Sequence, residues 1–129
     1  MTYAKIASMA KTILIADDEP EQVATLQALL SERGYKVLAA TSGEQALMKA
    51  VNFKPDLVIL DIMMPKMDGT EVAMLLKNDV RTQRIPIIFV TAVIAPEDQI
   101  NVSGNPNQIF AKPVKLHELL NAIQNTISS

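Results

Sequence analysis

Residues 57–69 read Leu57-Val58-Ile59-Leu60-Asp61-Ile62-Met63-Met64-Pro65-Lys66-Met67-Asp68-Gly69, and the fold follows from this stretch. Four apolar residues with no polar alternation predict a strand buried on both faces. Asp61 ends that strand. Pro65, Asp68 and Gly69 then break the chain before a helical pattern starts at Thr70. A strand buried on both faces belongs to a parallel sheet covered by helices. Sheets of that kind carry their chemistry at the carboxyl ends of the strands.

The same alternation extends in both directions. Thr12 to Ala16 predicts a first strand, stopping at Asp17-Asp18-Glu19-Pro20. Pro20 suits a first helical turn, and Val23, Leu26, Leu29 and Leu30 mark one helix face that ends at Gly34. Tyr35 to Ala40 predicts a second strand. Ser42-Gly43-Glu44-Gln45 matches a capping box, opening a helix with Ala46, Leu47, Ala50 and Val51 inward. After the strand into Asp61, Asp68 is the expected N-cap of a third helix, with Glu71 at N3 and a Met67–Val72 staple. Ile85 to Val90 predicts a fourth strand, ending at Thr91. Pro96-Glu97-Asp98 starts a fourth helix that only Ile100 and Val102 sustain before Ser103-Gly104-Asn105-Pro106-Asn107. Gln108 to Ala111 is a short fifth strand, ending at Lys112-Pro113. Leu116, Leu119, Leu120, Ile123 and Ile127 then form the strongest amphipathic pattern in the chain.

Five βα units in succession imply a doubly wound, flavodoxin-like (βα)5 three-layer sandwich with a parallel sheet in the order 2-1-3-4-5. The 129 residues suit one domain, expected over 12–129 behind an extension at 1–11 with one loose turn around Ile6 and Met9. Apolar residues make up 49%, enough for a core. Twelve basic against 14 acidic residues give a net charge of −2, which argues against a nucleic-acid face. The absence of Cys excludes disulfides, thiolate metal sites and a Cys nucleophile. No apolar run approaches the roughly 20 residues of a membrane span. Residues 1–11 lack the apolar core of a secretory signal, so a cytoplasmic protein is expected.

In that strand order, strands 1, 3, 4 and 5 are neighbours, and their ends carry Asp17-Asp18, Asp61, Thr91 and Lys112. Three carboxylates cannot share a small site as bare anions; a proton or a cation must offset their repulsion. An all-oxygen donor set suits a hard cation, Mg²⁺ or Mn²⁺. A metal, an ammonium and a hydroxyl together form a receptor for a phosphoryl group, with the central Asp61 as nucleophile. Each residue also has a plainer reading. Asp17-Asp18-Glu19 would suit a helix start, Asp61 an Asx turn, Thr91 a strand end and Lys112 the surface. Only the convergence of all of them favours chemistry. His117 reads as a solvated helix residue and the seven Met as core and loop filler.

With these motifs in order at the strand ends, the chain resembles the receiver domain of two-component response regulators, of the chemotaxis-regulator type. The residues carrying the resemblance are Asp17-Asp18, Asp61 to Gly69, Thr91-Ala92 and Lys112-Pro113. The resemblance implies that Asp61 accepts a phosphoryl group from a phosphohistidine on a sensor kinase or a histidine phosphotransfer protein. It implies a Mg²⁺ site from Asp17, Asp18, Asp61 and the Met63 carbonyl. Thr91 and Lys112 would contact phosphoryl oxygens, and the Lys112–Pro113 peptide would be cis. It also implies a phosphoacceptor and not a turnover enzyme, as a monomer or weak dimer. Output would pass to a downstream protein through the face of the fourth helix, fifth strand and last helix. Without residues for an effector beyond the last helix, output is expected either by binding another protein or by passing the phosphoryl group to a phosphotransfer domain.

Two features depart from the family pattern. The switch position three before Lys112, commonly aromatic, is Ile109, with Phe110 expected on the opposite side of the strand. The fourth helix is weak, so the output face is expected to be mobile or remodelled. Met63 and Val93 flank the path of an attacking water, and both are apolar, so slow autodephosphorylation is expected. Three rival readings bear on function. A Mg²⁺-dependent phosphohydrolase would need a second acid where Met63 stands. A pseudo-receiver would not need the intact acidic set. A flavin site would need a Ser/Thr/Gly-rich phosphate loop where the acids of strand 1 lie.

Overall fold

The computed structural model describes residues 10–92 and 108–127. Its elements alternate as β1 (Thr12–Ala16), α1 (Pro20–Glu32), β2 (Lys36–Ala40), α2 (Gly43–Phe53), β3 (Leu57–Asp61), α3 (Gly69–Lys77), β4 (Ile87–Thr91), β5 (Ile109–Ala111) and α4 (Leu116–Ile127). The loose turn around Ile6 and Met9, Val93 and the helix expected from Pro96 lie outside the described residues.

The five strands form one parallel sheet in the order β2-β1-β3-β4-β5, the doubly wound arrangement that the alternating pattern implies. β3 lies between β1 and β4, with Ile59 opposite Ile15 on one side and Ile88 on the other. Successive residues of a strand point to opposite faces, so an unbroken apolar run supplies two cores. Leu14, Val58, Leu60 and Phe89 pack with Ala46, Ala50, Val72 and Leu76 beneath α2 and α3. Ile13, Ile15, Ile59 and Ile88 pack with Val23, Leu30, Leu119 and Ile123 beneath α1 and α4. Each Leu or Ile buried in this way contributes about 1.5–3 kcal/mol.

Local chemistry sets the element ends, and it moves several of them from where periodicity puts them. β2 starts at Lys36 and not at Tyr35, because the Tyr35 N–H turns back to the Leu30 carbonyl at 3.2 Å and closes α1. The chain leaves α1 through Gly34 at φ +93°, a left-handed conformation that costs glycine little. β4 starts at Ile87, two residues later than expected, since Pro86 has no N–H to give to the ladder. Gln108 stays out of β5 and its side chain donates to the Thr126 hydroxyl at 3.0 Å.

At the start of α2, Ser42 accepts the Gln45 N–H at 3.1 Å, as a capping box requires. The Gln45 side chain closes on the Thr41 N–H at 2.9 Å, one residue before the N-cap. Asp68 caps α3 by accepting the Glu71 N–H at 3.0 Å, and Met67 packs against the cluster that holds Val72. α3 begins at Gly69, one residue earlier than the apolar pattern shows.

Candidate functional site

Parallel strands bring their carboxyl ends to one edge, and there the backbone aims each side chain. Asp17 follows β1, and its N–H donates to the Ala40 carbonyl at 3.1 Å, continuing the β1–β2 ladder by one step. Asp61 closes β3 opposite Val90 and is 2% exposed. Thr91 closes β4 and is fully buried, and its carbonyl accepts the Lys112 N–H at 2.9 Å. That bond ties the start of the β5–α4 loop to the end of β4. The Lys112–Pro113 peptide is cis.

The two buried acids are held in the same way. Asp17 accepts the Glu19 N–H on Oδ1 at 3.0 Å and the Lys112 ammonium on Oδ2 at 2.7 Å. Asp61 accepts the Met63 N–H on Oδ1 at 3.0 Å and the same ammonium on Oδ2 at 3.1 Å. Each carboxylate thus has one oxygen fixed by a backbone turn and one turned to Lys112. Asp18 is half-buried beside them, and one carboxylate oxygen from each of Asp17, Asp18 and Asp61 lies within 4.8 Å of the others.

The electrostatics follow from this packing. Burial pushes the Asp61 carboxyl above its usual range, and the nearby charge of Asp17 adds to the rise. The Met63 N–H and Lys112 oppose it without cancelling it. Burial alone would lower the Lys112 pKa, but hydrogen bonds to Asp17 and Asp61 overcome that and raise it. Lys112 is therefore a fixed cation near neutral pH. Among the described residues, every buried side-chain polar atom has a hydrogen-bond partner. One ammonium does not neutralise three carboxylates, and their oxygens lie close enough together to serve one small cation. The donor set is all oxygen, which fits Mg²⁺ and gives zinc no nitrogen or sulfur ligand.

Of the sequence-derived residues, Asp17, Asp18, Asp61 and Lys112 come together directly. Thr91 joins through the backbone of Lys112. Ala92 follows it on the surface, and Met63 is 56% exposed beside Asp61. Ile109 packs with the α2–α3 core and Phe110 with the α1–α4 core, on opposite faces of the sheet. Two further residues belong to the site. Glu19 reaches Lys112 at 3.4 Å, although its sequence position suggests only an acidic helix start. Gly69 reads as a chain breaker, yet a Cβ there would lie 2.4 Å from the Asp61 carbonyl oxygen. Only glycine lets α3 begin against the residue that ends β3.

Comparison with known proteins gives the same family from sequence and from structure. The response regulator receiver domain profile matches residues 13–124. The alkaline phosphatase synthesis transcriptional regulatory protein PhoP of Bacillus subtilis is 46% identical over 86 residues, 65% of this chain and 34% of that protein. The chain thus spans about a third of PhoP. Protein PilH of Pseudomonas aeruginosa is 33% identical over 117 residues, covering 90% of this chain and 97% of PilH. Among solved structures, the receiver domain of the sensor histidine kinase PA1611 from Pseudomonas aeruginosa superposes with a TM-score of 0.83 at 30% identity. The match covers 93% of this chain and 99% of that one, whose structure has a magnesium ion coordinated in the active-site cleft. With that profile match, that fold and this set of strand-end residues, the chain belongs to the response regulator receiver domain family, signalling domains of two-component systems.

Proposed function

We propose that Asp61 is the phosphoacceptor of a two-component switch. The observation that carries this reading is the juxtaposition at one sheet edge: three carboxylates within 4.8 Å, with Lys112 bridging two of them. Asp61 Oδ attacks the phosphorus of a phosphohistidine on a sensor kinase or histidine phosphotransfer protein. The phosphorus–nitrogen bond breaks, a phosphorus–oxygen bond to Asp61 forms, and the imidazole leaves with the electron pair. Asp17, Asp18, Asp61 and the Met63 carbonyl would hold Mg²⁺, which would supply charge neutralisation for the transferring group. The related PA1611 domain, with a magnesium ion in its cleft, supports the same metal here. Lys112 pairs with one phosphoryl oxygen, and the Thr91 hydroxyl and Ala92 backbone serve another. Met63 and Val93 set the lifetime of the acyl phosphate.

The receiver domain spans 12–129, preceded by the extension 1–11. It works in the cytoplasm and turns over no external substrate. Phosphorylation alters its binding to a downstream protein through the face that includes β5 and the last helix. Ile109 occupies the switch position in place of an aromatic ring.

The test uses the full chain with Mg²⁺ and acetyl phosphate, followed by intact mass and amide shifts. One phosphoryl adduct per chain is expected, with shifts at Asp61, Thr91 and Lys112, all lost in Asp61→Asn. No adduct and no response to beryllofluoride would leave a binding module that takes no phosphate. Rapid hydrolysis of p-nitrophenyl phosphate would point to the phosphohydrolase.

A further inference from the structure

Glu19 occupies the N-cap of α1, and it is an unusual choice there. N-caps favour Ser, Thr, Asp, Asn and Gly, whose short side chains return to the first free N–H groups. The Glu19 side chain makes no capping hydrogen bond. Its backbone already serves the helix, accepting the Gln22 and Val23 N–H groups on its carbonyl at 3.0 and 3.2 Å. The carboxylate instead lies 3.4 Å from the Lys112 ammonium. Lys112 therefore sees three acceptors, Asp17 at 2.7 Å, Asp61 at 3.1 Å and Glu19 at 3.4 Å, matching the three N–H donors of an ammonium.

These three acceptors differ in one respect. Asp17 and Asp61 also belong to the carboxylate set that can hold a cation, and Glu19 does not. An ammonium and a divalent cation repel each other and compete for the same lone pairs. Lys112 must give up at least part of its hold on Asp17 and Asp61 before those oxygens can serve a metal. Glu19 lies on the solvent side, with its side chain 60% exposed, where it can keep the ammonium after the other two let go.

We infer that Glu19 is a positioning residue for Lys112: it holds the ammonium outside the metal set, so that Asp17 and Asp61 are free for the cation. This rests on the acidic edge being a Mg²⁺ site. It breaks a local helix-start preference for the sake of the site, the kind of exception that functional edges of folds carry.

The test is Mg²⁺ affinity, measured by calorimetry and by amide shifts on the full chain. Two variants separate reach from charge. Glu19→Gln removes the charge. Glu19→Asp keeps it, improves the N-cap, and is too short to reach Lys112. Both are expected to raise the Mg²⁺ Kd about two- to five-fold, the scale of a partly exposed ion pair. Glu19→Asp is expected to do so while raising thermal stability. In a Lys112→Ala background the Glu19→Asp effect should disappear. Wild-type affinity in Glu19→Asp would overturn the inference and leave Glu19 as long-range charge only. So would an undiminished effect in Lys112→Ala. Absence of Mg²⁺ binding by the wild type would instead overturn the reading of the metal site itself.

Discussion

Asp61 is buried at the end of β3, and burial raises its pKa above the usual 3.8, with Asp17 adding to the rise. A carboxyl whose folded pKa is raised binds its proton more tightly in the folded state. Stability therefore falls as pH rises from 3.8 through the folded pKa, and near neutral pH the ionised Asp61 works against folding. Asp61→Asn removes that charge and keeps the shape. In the absence of Mg²⁺ it should be more stable than wild type by about 0.5–2 kcal/mol, with the gap closing below pH 3.8. Urea denaturation at several pH values measures this, and a destabilised Asn variant near neutral pH would contradict it. Gly69 sets the opposing case. Ala is the better helix former by about 0.5–1 kcal/mol. Its Cβ would meet the Asp61 carbonyl oxygen at 2.4 Å and the Ile62 Cα at 2.9 Å, both backbone atoms that cannot swing aside. Overpacking of this kind costs about 1–3 kcal/mol, so the clash wins. Gly69→Ala should lose stability and shift the Asp61 amide resonance.

Asp68 decides how α3 begins. Its Oδ1 accepts the Thr70 hydroxyl at 2.6 Å and the Glu71 N–H at 3.0 Å, and these two bonds lower its pKa from 3.8. A carboxyl with a lowered folded pKa stabilises the fold above its unfolded value, and that contribution is lost as pH falls through the folded pKa. Asp68→Ala should therefore cost about 1 kcal/mol near neutral pH, and the difference from wild type should shrink below pH 3.8. Thermal melts across that range measure both effects; a gap independent of pH would assign the loss to something other than the cap. This cap could be read from the sequence, because Asp68 and Glu71 have the spacing of a local motif. The bounds of β1 and β3 were legible for the same reason: their apolar runs stop at acids. What was not legible depends on contacts between distant residues. Glu19 meets Lys112 across 93 residues of sequence. The tight approach of Gly69 to Asp61 exists only once α3 folds back onto β3. Asp17, Asp61 and Lys112 were foreseeable because parallel topology turns strand ends into neighbours, whereas a helix-start Glu carries no such rule.

At the scale of the whole molecule, one sheet serves two cores and one edge. Ile59 and Leu60 are adjacent in β3, yet Ile59 packs under α1 and α4 and Leu60 under α2 and α3. Both are buried to 1% exposure or less. Among the described residues, each helix layer packs its apolar face on the sheet, and β3 bonds to both β1 and β4, so loss of one core removes the support of the other. Ile59→Ala and Leu60→Ala should each cost about 2–5 kcal/mol. Each should also unfold in a single transition, with helix content by circular dichroism and amide protection of all five strands lost together. If the cores were independent, Leu60→Ala would release α2 and α3 while hydrogen exchange still protected Ile13, Ile15 and Ile59. The single transition matters for the site, because Asp17, Asp61, Thr91 and Lys112 sit on four different strand ends. They hold their spacing only while both helix layers clamp the same sheet.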